Sequence, residues 1–191
     1  LDLAARDGAL VCFHAENDGL IRNMTDKLLA EGKTAPKYHA ASHPREAEIE
    51  AIDRMCRFAK FTGARIMIFH VSTREGADIV RKARAKGVNV QAETCPHYLF
   101  MTVDILEQDN PARFMCSPPQ RTTDDQDALW DAIADGTLSL VTSDHAPYRM
   151  DASGKFANGR DAPFNKIANG MPGLETRLPL MFNAMVTQGR G

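Results

Sequence analysis

Long apolar runs are missing from this sequence. No stretch approaches the ~20 residues that a membrane-spanning helix needs, and the opening Leu1-Asp2-Leu3-Ala4-Ala5-Arg6 lacks the layout of a secretory signal. Charge of one sign is missing too, since 23 Lys and Arg against 25 Asp and Glu leave a formal −2. That removes the electrostatic reason to expect nucleic acid or an anionic membrane as a partner. Cysteine is scarce: Cys12, Cys56, Cys95 and Cys116 are far apart, with no C-x-x-C pair. Neither a thiolate zinc site nor a disulfide framework is expected, and a reducing, cytoplasmic setting is. Also lacking are a Gly-rich dinucleotide fingerprint, a phosphate loop, a low-complexity segment and an internal repeat.

What remains is the composition of one folded domain. The 191 residues are 43% hydrophobic and 25% charged, enough apolar surface for a real core and too much for disorder. The first residue is Leu1 rather than an initiator Met, so a piece of something longer is expected. Apolar β-forming runs alternate with helical patterns. Strands are predicted at 10–13, 66–69, 88–92 and 138–142. A helix opening at Pro44 sets Ile49, Ile52, Cys56 and Ala59 on one face and stops at Gly63. A second, capped by Ser72 or Thr73, presents Gly76, Ile79, Val80 and Ala83 and closes at Gly87. A third follows a capping box of Thr123 and Gln126. A Gly-rich loop runs from Arg149 to about Pro172. The last helix then carries Leu174, Leu178, Met181, Phe182 and Met185, with Pro179 near its first turn. The fold class is α/β: parallel strands joined by right-handed crossovers, either an open doubly wound sheet or part of a (β/α)8 barrel.

The chemical signal is positional. Apolar runs end in His14, His70 and Asp144, and in an α/β barrel the carboxyl ends of strands converge on one mouth. Two imidazoles and a carboxylate there suit a divalent transition metal, zinc foremost; the carboxylate can also serve as a general base. Each residue has a plainer reading, as a hydrogen-bonded core histidine or a turn cap. His39 and His43 lie in a polar connection and read as solvated or capping. His97 can line the pocket, His145 can face substrate, and Glu93 can either point into the site or bridge backbone beneath it.

Six ordered motifs resemble a family. They are His14-Ala15-Glu16-Asn17, Phe69-His70-Val71-Ser72, Glu93-Thr94-Cys95-Pro96-His97-Tyr98-Leu99, Ser117-Pro118-Pro119, Thr142-Ser143-Asp144-His145-Ala146-Pro147 and Asn169 to Arg177. Together they resemble the cyclic amidohydrolases, in the branch of D-hydantoinase and dihydropyrimidinase. The resemblance implies a TIM-like barrel with two divalent metals, zinc the leading candidate, bridged by a carboxylated lysine. It implies that His14 and His70 bind the second metal, and that Asp144 binds the first and shuttles a proton. Backbone groups of Ser117 and Asn169 are implied to hold the cyclic amide.

The family's H-x-H pair, bridging lysine and adjacent tyrosine belong to earlier strands. Residues 1–191 are therefore expected to be the C-terminal half of the barrel, about strands 5–8 with their helices: a single incomplete domain, not competent to hold two metals alone. The implied reaction is hydrolysis of hydantoins or dihydropyrimidines to N-carbamoyl amino acids by the full-length protein, a small-molecule enzyme forming a homo-oligomer, a tetramer by resemblance. The alternatives are an allantoinase or dihydroorotase of the same family, or a non-catalytic relative with an assembly role.

Overall fold

The computed structural model describes residues 1–190. Four short apolar segments become strands β1 (Leu10–Phe13), β2 (Arg65–Ile68), β3 (Val90–Thr94) and β4 (Leu140–Val141), hydrogen-bonded in the order β1-β2-β3-β4 and all parallel. Sequential neighbours joined by crossovers form an α/β sheet, as the alternation predicts. The register aligns Cys12, Met67 and Gln91 on one face and Val11, Ile66 and Val90 on the other. On that second face Ile66, Ile68, Val90 and Ala92 are buried beneath helices α4 (Arg45–Thr62), α5 (Arg74–Ala85) and α7 (Thr123–Ala134), which pack side by side. On the first face Leu10, Cys12, Gln91 and Leu140 are exposed. A parallel sheet covered by helices on one side only is the arrangement that curls into a barrel, whose inward residues then cover one another. Among the described residues no helix is long and apolar enough to cross a membrane.

Three local expectations need correction. The capping box before α7 is Thr122 with Asp125, one residue earlier than read, because the Asp125 carboxylate reaches back to the Thr122 N–H while the Thr122 hydroxyl accepts from Asp125 N–H. The last helix, α8 (Leu174–Phe182), holds Pro179 in its interior and buries only Met181. Leu178 is 74% exposed and Phe182 59% exposed, so most of its apolar face stands open within these residues. Four helices have no counterpart in the sequence reading: α1 (Asp2–Asp7), α2 (Asp18–Ala30), α3 (His39–Ser42) and α6 (Pro96–Phe100). Asn17 caps α2 by accepting from Leu20 N–H. By contrast, Thr73 caps α5 through Gly76 N–H as expected, and Gly63 ends α4 at φ 73°.

A second, smaller core lies off the sheet. Leu28 of α2, Leu106, Ala112, Met115, Phe164 and Ile167 pack together, drawing one helix and two loops onto one platform. The long loop after β4 is tied into it. Lys155 is buried; its Nζ donates to Ala168 O at 3.0 Å and Met115 O at 3.5 Å, and its N–H donates to Arg149 O. Burial without a carboxylate partner lowers the ammonium pKa to about 8.

Candidate active site

The four strand ends converge. His14 follows β1, His70 follows β2, Glu93 and Thr94 end β3, and Asp144 lies three residues beyond β4. His70 and Asp144 share an unusual backbone: both have φ 41°, in the left-handed region that side-chain-bearing residues avoid. Such strain persists only where surrounding contacts fix it, and it concentrates at functional positions.

Those contacts are visible for His70. Phe69 N–H bonds to Phe13 O, and Val71 N–H bonds to Glu93 O. Buried Glu48 of α4 then accepts from Ser72 N–H at 2.7 Å and from the Ser72 hydroxyl, while Arg121 donates to the Ser72 hydroxyl at 3.1 Å and to His43 O at 2.8 Å. Burial raises the Glu48 pKa against the pull of Arg121. Glu93 resolves toward the bridging role: it accepts from the Thr142 hydroxyl at 2.9 Å and from the His70 backbone.

The two histidines meet edge to face. His14 Nδ1 is 2.9 Å from His70 Nε2, with ring centroids 4.7 Å apart. The buried carboxylate of Glu16 lies 3.0 Å from His14 Nε2, an ion-pair contact that raises the His14 pKa and favours a proton on that nitrogen. In the neutral ring the Nδ1 lone pair is thereby turned toward His70. Burial, together with the His14 charge, pushes His70 down to about 4, so its imidazole is neutral near pH 7. Two nitrogens bound to one ion at about 2.0–2.1 Å and 90–110° would stand ~2.9–3.4 Å apart. The pair fits a divalent metal on that measure. The charge of Asp144 is felt by His14, His70 and His97. Asp144 does not complete a set, however: among the described residues no three His, Cys, Asp or Glu side chains group closely enough to hold an ion together.

His97 is buried with Nε2 unpartnered, and burial lowers it to about 4. His145 caps a helix: its Nδ1 accepts from Gly173 and Leu174 N–H at the start of α8. His39 and His43 are not solvated, although His43 does cap: it ends the short helix His39–Ser42 with Nδ1 on the His39 carbonyl. His39 is buried, donates from Nε2 to Cys116 O at 2.9 Å and is lowered to about 3 by burial. His43 Nε2 lies 3.0 Å from the Ser117 hydroxyl, which also meets Asn169 Nδ2. Ser117 and Asn169, 52 residues apart, are thus brought together, helped by a bond from Gly170 N–H to Met115 O. Gly170 has φ 148°, and a Cβ there would stand 2.6 Å from Ala146 Cβ. A cavity of about 210 Å³ beside them is lined in part by His39, His43, Met115, Phe164 and Asn169. No spacing rule marks His39 and His43; only the tertiary fold shows them behind Ser117.

No protein-family model matches the chain. Individual relatives do. Over 192 aligned residues, all of this chain, it is 42% identical to a D-hydantoinase of Rhizobium radiobacter and 41% identical to a D-hydantoinase of Ralstonia pickettii. The crystal structure of dihydropyrimidinase from Brevibacillus agri superimposes with a TM-score of 0.94 at 40% identity, over 99% of this chain and 41% of that one. An L-hydantoinase structure from Arthrobacter aurescens gives 0.88 at 30% identity, over 98% of this chain. The chain spans about two fifths of the length of the curated relatives it matches.

Proposed function

Because this chain belongs with the D-hydantoinases and dihydropyrimidinases, cyclic amidohydrolases all, we propose that the full-length protein opens hydantoin or dihydropyrimidine rings to N-carbamoyl amino acids. Residues 1–191 are then the C-terminal half of its barrel, about strands 5–8. The observation that carries the reading is the convergence of His14 Nδ1 and His70 Nε2, 2.9 Å apart, at adjacent strand ends. Catalysis in this family is metal-dependent. Our reading places two divalent ions, zinc by preference, beside His14, His70 and Asp144, with the bridging carboxylated lysine and the H-x-H pair outside this sequence. The protein that carries them is expected to be a homo-oligomer, a tetramer by resemblance.

When bound, such ions acidify a water and polarise the ring carbonyl. The chain's own residues do the rest. His14 presents Nδ1 because Glu16 occupies its other nitrogen, and His70 presents Nε2 because its backbone is fixed from three sides. Asp144, in its strained conformation at the mouth, takes the proton of the attacking water on a carboxylate oxygen. It passes that proton to the departing ring nitrogen, which would otherwise leave as an unstable amide anion. The backbone of Ser117 and Asn169 holds the ring amide. The test is turnover of dihydrouracil, hydantoin, allantoin and dihydroorotate by the full-length protein with and without chelator. Chelator-sensitive opening of the first two is expected. Opening only of allantoin or dihydroorotate would move the reading to another branch, and inert, metal-free protein would refute it.

A further inference from the structure

The contacts behind Ser117 form a chain of hydrogen bonds whose direction is determined at one end. His43 Nδ1 lies 3.1 Å from the backbone carbonyl of His39 and 2.9 Å from the Ser42 hydroxyl, whose own proton goes to that same carbonyl at 2.7 Å. A carbonyl only accepts, so His43 Nδ1 carries a hydrogen. Burial lowers the His43 pKa, which keeps the ring neutral and leaves a lone pair on Nε2. Ser117 must then donate its hydroxyl proton to Nε2. With its one proton committed, the Ser117 oxygen can only accept from Asn169, which must offer its NH2 group. The exposed Asn169 side chain is left with its carbonyl oxygen, Oδ1, free.

We infer that His43 is a specificity-determining residue: through Ser117 it fixes the Asn169 amide so that Oδ1 is presented as an acceptor for a ring N–H of the substrate. His39 supports the relay twice, by its carbonyl on His43 and by its ring N–H on Cys116 O. The inference rests on the hydantoinase-type reading and adds a side-chain acceptor to the backbone groups proposed above. It also states a direction. With the opposite His43 tautomer the chain would run backwards, and Asn169 would present NH2, repelling ring N–H and favouring a ring carbonyl.

Two measurements test it on the full-length protein. The first needs no activity: nitrogen NMR of histidine-labelled protein, with His43 assigned by comparison with His43→Gln. The Nδ1–H form is expected, and the Nε2–H form overturns the inference. The second compares kcat/KM for hydantoin with that for its two N-methyl derivatives. Wild type is expected to prefer hydantoin over at least one of them by about tenfold or more, because an acceptor left without its N–H is penalised. His43→Leu should lower that preference below about threefold, with KM raised and kcat on hydantoin changed less. His43→Gln, whose carbonyl can still accept from Ser117, should keep most of it. Unchanged discrimination in folded, metal-loaded His43→Leu overturns the inference while leaving the proposed reaction standing. Failure of wild type to open hydantoin, with the Nδ1–H tautomer observed, refutes the reaction and leaves the relay supported.

Discussion

The two strands inside the sheet and the two at its edges carry similar functional groups in different settings. At the end of β2, His70 is buried, and its backbone neighbours are fixed by β1, β3 and, through Glu48, by α4. At the end of β1, the His14 ring is 50% exposed, and its recorded side-chain partners are Glu16 and His70 itself. Asp144 beyond β4 is likewise only partly covered. An inner strand can hold a ligand by packing. An edge strand within these residues has less packing to draw on: Glu16 supplies local charge beside His14, whereas the left-handed backbone, φ 41°, is common to Asp144 and inner His70.

The largest effect that would sharpen this contrast is chemical. Asp144→Asn should reduce kcat by about 10²- to 10⁴-fold, the range for losing a general acid–base group, with little change in circular dichroism or Tm. Near-normal kcat would remove the proton-transfer role. Next, metal retention should separate the strands: His70→Ala and His14→Ala should both lose metal on dialysis. Only His70→Ala should also lower the Tm of metal-free protein by several degrees, since a packed ring is deleted there. Equal Tm losses would break the comparison.

The inner region also depends on Asp125, which takes a bidentate contact from Arg45 and a bond from Arg74 N–H, tying α4, α5 and α7 together. Despite burial, these bonds hold its pKa below the usual carboxylate range. Its contribution is therefore complete above the unfolded-state value of about 4 and fades as pH falls toward the folded-state value. Asp125→Asn should cost about 2–4 kcal/mol at pH 7, and less at pH 3. A deficit that grows on acidification would contradict this assignment. The smallest effect concerns strain: Asp144→Gly should be more stable than Asp144→Ala by about 1 kcal/mol, because alanine retains the left-handed penalty that glycine avoids. Equal stability would mean that the loop relaxes.

Much of this was legible beforehand, for identifiable reasons. Ile66-Met67-Ile68 and Val88-Asn89-Val90 announce strands because β-branched residues bounded by glycine admit few other readings. His14, His70 and Asp144 stand out because a polar residue ending an apolar run is conspicuous. α2 was hidden: its Leu20, Ile21, Met24 and Leu28 keep helical spacing, but Asp, Asn and Lys between them dilute the pattern. The cap at Asn17 was the overlooked signal. The exposure of the apolar face of α8 is not legible in the sequence, because periodicity shows that a face exists without showing what covers it. Glu48 with Arg121, and His43 with Ser117, were beyond reach. Their partners lie 73 and 74 residues apart, and no local rule links them.

The loop after β4 has a practical consequence. Lys155 pins it to Ala168 and Met115, Asn158 Nδ2 reaches Lys166 O, and Phe164 is buried with its N–H on Thr34 O. Between these fixings, residues 157–161 project into solvent. Extra chain inserted after Gly159 would hang outside the anchors, and ring closure around it would grow more demanding only slowly with length. That makes 159–161 a place to graft an affinity peptide or a reporter dye without moving Asn169.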